Sequence, residues 1–114
     1  MTREEFISDL ETLGTVESLP QAGGTVLAVL APQPVPGTGR SSRVAILLPE
    51  VIAGRPVVFV DGDLRTRSGG SPNNWKLSLF GTEYFGSWSL ATSWSPEADS
   101  AQALVFAALD QWDR

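Results

Sequence analysis

The chain has 114 residues, 42% of them hydrophobic and 18% charged, with a net charge of −5, a composition that suits one domain with a modest core and excludes the signature of disorder. It has no cysteine and no histidine, so Ser-His-Asp and Cys-His nucleophiles and the usual structural zinc site are excluded, leaving carboxylate, hydroxyl, amide and amine chemistry. No run of Lys or Arg supplies the basic stripe that nucleic acid requires, no apolar run approaches the ~20 residues of a membrane span, and the charged N-terminus lacks a signal peptide's apolar centre; no nucleic acid, no membrane and a cytoplasmic location are therefore expected.

The first element is a helix over residues 2–13, because Phe6, Ile7, Leu10 and Leu13 recur at the helical period. Thr2 followed by Glu5 fits a capping box, and Gly14 stands where a helix stops. From residue 15 to 60 the pattern changes to short β-branched runs divided by Gly and Pro. Residues 25–30, 43–48 and 57–60 read as strands, with 16–19 as a weaker one, together an antiparallel meander. Residues 31–42 hold three prolines and two glycines, which predicts an exposed, mobile loop.

Residues 61–72 bring an Asp-Gly turn, the basic pair Arg65 and Arg67, and Gly69-Gly70. They predict a long surface loop. Asp61-Gly62-Asp63 lacks the later acidic ligands of a calcium loop, and Gly69-Gly70 lacks the lysine of a phosphate loop, so both read as turns and neither a metal nor a cofactor is expected. Trp75, Phe80, Tyr84, Phe85, Trp88 and Trp94 then crowd into one segment, which predicts core; an exposed Trp or Tyr among them would mark a partner surface. The last element is a helix over residues 96–112, with Ser95 as cap, Pro96 at the first position and an apolar stripe of Ala101, Leu104, Val105, Ala108, Leu109 and Trp112. The expected fold is thus one α+β domain over residues 1–114: N-terminal helix, four-stranded antiparallel meander, long loop, C-terminal helix.

That order, with certain local runs, resembles the ubiquitin-conjugating enzyme (UBC-like) family in its compact bacterial form. Arg43-Val-Ala-Ile-Leu-Leu-Pro-Glu50 followed by Gly54-Arg-Pro-Val-Val-Phe-Val60 is similar to that family's third strand, proline link and fourth strand. Ser71-Pro72-Asn73 is similar to its His-Pro-Asn step. Leu77-Ser78-Leu79-Phe80 resembles the run that carries the catalytic cysteine, with Ser78 at the cysteine's place. Trp94-Ser-Pro resembles the segment before its next helix.

The resemblance implies a carrier of a ubiquitin-like protein, loaded by an activating enzyme and acting on a protein substrate, with Ser78 holding the modifier as an oxyester. A hydroxyl needs a base or an oxyanion site to act as a nucleophile. Lys76, the only lysine, lies two positions before Ser78 and would share its strand face, as in Ser-Lys catalysis. Asn73 or Asn74 would supply the amide donor, and Glu83 and Glu97 flank the segment as possible amine-orienting carboxylates. Thr82 is an alternative acceptor, because the spacing from Pro72-Asn73 fits a position near Gly81 slightly better. Two other readings stay open: a noncatalytic UBC-like scaffold that binds a ubiquitin-like protein or activating enzyme, and an unrelated small α+β interaction domain.

Overall fold

The computed structural model describes residues 1–66 and 68–112; Arg67 of the basic pair lies outside the described residues. Among the described residues the chain is α+β, with a sheet of six strands rather than four. Helix α1 (Arg3–Glu11) is followed by β1 (Val16–Pro20), β2 (Val26–Val35), β3 (Arg40–Leu48), β4 (Val57–Asp61), β5 (Lys76–Phe80), β6 (Glu83–Ser87) and helix α2 (Ala101–Gln111). The strand order is β1-β2-β3-β4-β6-β5, antiparallel throughout. The expected meander is its first four strands, and the aromatic segment adds the β5–β6 hairpin to its end. Among the described residues no helix is long and apolar enough to cross a membrane.

Helix α1 starts as its sequence dictates. The Thr2 hydroxyl accepts from the Glu5 N–H at 3.2 Å, and the Glu5 carboxylate accepts from the Thr2 N–H at 3.0 Å, the reciprocal capping box. The Thr2 backbone bond, and then its hydroxyl, hold the Glu5 carboxyl below its ordinary value. Helix α2 begins at Ala101, later than expected. Residues 96–98 form a separate turn, in which the Ser95 carbonyl accepts from the N–H groups of Ala98 and Asp99. The cap is Ser100, whose hydroxyl accepts from the Ala103 N–H.

Residues 31–42 depart most from expectation, since they form the outer half of a β2–β3 hairpin and not a mobile loop. Val35 pairs with Arg40, Pro34 with Ser41 and Gln33 with Ser42, after an irregularity between Leu30 and Gln33. The prolines are tolerated because β1 ends its pairing at Leu30. Beyond that point β2 has a free edge, where a missing N–H costs no ladder bond.

Alternation along the strands sends side chains to two cores. Both helices lie on one face, where Ala28, Leu30, Val44, Ile46, Leu48, Val58 and Val60 pack with Phe6, Leu10, Leu104, Val105 and Trp112. The opposite face carries a smaller cluster of Leu27, Val29, Ala45, Phe59 and Phe85, with Phe80 against it. Leu104 and Trp112 are completely buried, and a fully buried large apolar side chain contributes about 1.5–3 kcal/mol. This burial explains why α2 docks although its first turn carries no acidic residue.

The aromatic segment enters both cores. Trp75 and Trp88 make edge contacts with Trp112, at centroid distances of 5.7 and 5.9 Å, and Trp94 meets Phe6 at 5.9 Å. Gly86 lies directly beneath the Trp75 indole, where a Cβ would collide with the ring's Cη2 and Cζ2 atoms. Gly86→Ala is therefore expected to lower stability by roughly 1–3 kcal/mol through overpacking. Gly54→Ala, where a Cβ meets nothing within 4 Å, is the control. Urea midpoints measure both, and equal midpoints would contradict the packing described.

Candidate functional site

Of the residues put forward from the sequence, all but Glu97 lie on or beside the β5–β6 hairpin. Ser78 pairs with Phe85, Lys76 with Ser87 and Phe80 with Glu83, and residues 81–82 form the two-residue turn. Gly81 has φ 65°, the left-handed backbone that the first position of a primed hairpin turn takes and that glycine adopts without strain. Because the strand alternates, Lys76, Ser78 and Phe80 point to the face of the smaller core, and Leu77 and Leu79 to the helix side. Lys76 and Ser78 thus share a face, as the sequence predicts.

The remaining partners do not assemble around Ser78. Thr82 is exposed at the hairpin turn. Asn73 sits beyond the opposite end of β5, where its carbonyl accepts from the Ser89 N–H at 3.2 Å. Asn74, in left-handed backbone at φ 57°, gives its side-chain amide to the Ser89 hydroxyl. Both amides therefore belong to the end of the hairpin away from Thr82. Glu97 accepts from the Ser95 hydroxyl at 2.7 Å, a bond that holds its carboxyl below the ordinary value. Glu83 turns to Arg43 instead.

What organises the hairpin is a charge cluster that sequence reading missed. Arg43 of β3 donates from Nε to Asp61 Oδ1 at 2.8 Å and from Nη1 to Glu83 Oε2 at 2.7 Å. Its backbone N–H donates to Asp61 Oδ2 at 3.0 Å, and its guanidinium lies 4.9 Å from the centre of the Phe85 ring. Partial burial works against the Arg43 charge, but hydrogen bonds and attraction from Glu83 and Asp61 outweigh it and raise its pKa above the ordinary value. Three strands are tied by one side chain. In the sequence these are an arginine, an aspartate and a glutamate far apart along the chain, and only the strand register shows that they meet.

A second feature is the open groove between the β2–β3 hairpin and α2, about 680 Å³ in volume, lined by Pro34, Pro36, Phe106 and Leu109 among others. Phe106 is 56% exposed there, an apolar side chain on the outer side of α2, opposite the buried stripe of Ala101, Leu104, Val105, Ala108 and Leu109. Proline and glycine density over residues 31–42 predicts a loop, and a groove wall needs the hairpin that forms there instead. Tyr84, 58% exposed, is the one member of the aromatic segment that stands out from the packing to this degree.

In comparisons with family models, curated proteins and solved structures, nothing matches the chain.

Arg43→Ala is expected to cost roughly 1–2 kcal/mol, two charge-assisted bonds reduced for their partial solvent exposure, and Arg43→Lys to recover only part of it, because an ammonium cannot reproduce the fork. Denaturation midpoints check this at low and high salt. A loss in Arg43→Ala under ~0.5 kcal/mol would mean that the clamp does not position the hairpin.

Proposed function

We propose that this chain is a noncatalytic UBC-like scaffold that binds a ubiquitin-like protein or an activating enzyme without carrying the modifier covalently. The observation that supports this reading is the setting of Ser78. Among the described residues no hydrogen bond joins its hydroxyl to a base, and the amide of Asn74 that would steady an oxyanion is committed to Ser89. A serine without either aid is a poor nucleophile at neutral pH. The groove beside Phe106 supplies an apolar surface with polar edges, the composition of a protein contact patch.

The second reading, an oxyester carried on Ser78, draws its support from the shared face of Lys76 and Ser78. One reaction separates the two. The protein is incubated with ATP, an activating enzyme and its ubiquitin-like protein, and products are resolved with and without hydroxylamine. The scaffold reading expects no adduct, together with a noncovalent complex in titration calorimetry that weakens at least about tenfold in Phe106→Ala, the loss of a single apolar anchor of roughly 1.4 kcal/mol or more. An adduct that resists reducing agent, yields to hydroxylamine and disappears in Ser78→Ala would instead establish the carrier; persistence in Ser78→Ala with loss in Thr82→Ala would move the acceptor to Thr82.

A further inference from the structure

Strand β5 is one edge of the sheet, and its one protecting charge, Lys76, stands at its end and leaves the centre apolar. The other edge, β1, carries Glu17 and ends in Pro20. In β5 there is no proline and no bulge, and Leu77 and Leu79 are 48% and 55% exposed on one face beside the 58% exposed Tyr84. A flat, apolar edge of this kind is a template for another strand.

The direction of the free backbone groups follows from the pairing. The Tyr84 carbonyl accepts from the Gly62 N–H at 3.0 Å, so Tyr84 turns its backbone away from β5. Tyr84 pairs with Leu79, and in an antiparallel ladder this makes Leu79, and two residues away Leu77, the non-hydrogen-bonded positions facing β6. Their N–H and C=O groups point outward. Those of Lys76, Ser78 and Phe80 point inward to β6.

We propose that the partner of this edge is a second copy of the chain, joined by antiparallel β5–β5 pairing about a two-fold axis through Ser78. The strand reads Lys-Leu-Ser-Leu-Phe, which is nearly the same in both directions. With Ser78 opposite Ser78 of the second copy, Leu77 falls opposite Leu79 in both halves. Those are the positions whose free groups point outward, so each pair exchanges two backbone hydrogen bonds. The four leucines then meet on one face with the two Tyr84 rings beside them.

Charge permits the same register. Lys76 falls opposite Phe80 of the second copy, and that copy's Glu83, one strand further away, is already paired with Arg43, so the register adds no ion pair and sets no like charges opposite each other. Self-complementarity distinguishes this occupant from an unrelated extended peptide, for which a palindromic edge has no special value.

Cysteine cross-linking tests the register without interference, since the chain has no cysteine of its own. Opposed residues in a non-hydrogen-bonded antiparallel pair have Cα atoms about 4.5 Å apart, within disulfide reach. Under mild oxidation Ser78→Cys is expected to give a disulfide dimer at least about tenfold faster than Thr82→Cys or Ser18→Cys, the latter on the opposite edge. Sedimentation equilibrium of the unaltered chain is expected to show monomer passing to dimer as concentration rises toward ~1 mM, as suits a small interface. The double variant Leu77→Lys, Leu79→Lys, altered only at exposed positions, should stay monomeric with an unchanged circular dichroism spectrum. An unaltered chain that remains monomeric at that concentration, or Ser18→Cys or Thr82→Cys cross-linking as fast as Ser78→Cys, would overturn the proposal.

Discussion

A guanidinium on the face of a β-sheet must either reach water or find carboxylates, and Arg43 does the second. Asp61 on β4 and Glu83 at the start of β6 meet it, and Phe85 lies beneath it. The β4–β6 ladder pairs Val60 with Gly86 and Asp61 with Phe85 and adds the Gly62–Tyr84 backbone bond, a short ladder on which to hold a hairpin. The clamp, the ring contacts of Phe80 with Phe59 and Phe85 and those of Trp75 and Trp88 with Trp112 reinforce it. From that fixed hairpin follow the open edge of β5, the orientation of Ser78 and the position of Trp75 over Gly86.

The hairpin also determines what chemistry its residues can do. Placing Ser78 in the middle of a regular strand fixes its backbone bonds to β6 and leaves the hydroxyl on the sheet face beside Lys76. The same regularity suits association, since a strand with outward amides can continue a sheet. The binding proposed at the Phe106 groove and the pairing proposed at β5 use different surfaces of the chain, so neither requires the other.

Local patterns in the sequence were sufficient for α1, with its capping box, for the apolar stripe of α2, and for the four strands of the meander. They failed where long-range placement overrode local preference. Prolines 32 and 34 read as loop formers, yet β2 runs through them because β1 has already ended and the edge is free. Ser95-Pro96 reads as a helix start, yet Ser100 caps the helix because Ser95 closes a turn of its own. The aromatic run reads as core, which is correct for Trp75, Trp94 and Phe85, but its density of large rings hid the glycine turn at 81 that makes residues 76–87 a hairpin. Of the candidate residues, the shared face of Lys76 and Ser78 was legible from strand period alone; the commitment of Asn74 to Ser89 and of Glu83 to Arg43 required the register of the sheet.

The claim on which the rest stands is that β5 is an ordered edge strand held through Lys76, Ser78 and Phe80, with Leu77 and Leu79 facing outward. Residue-resolved amide exchange reads this directly. In dilute solution the Ser78 and Phe80 amides should be protected and those of Leu77 and Leu79 should exchange freely, the latter slowing as the protein is concentrated. Fast exchange at Ser78 and Phe80, or equal protection at all of these positions whatever the concentration, would contradict it.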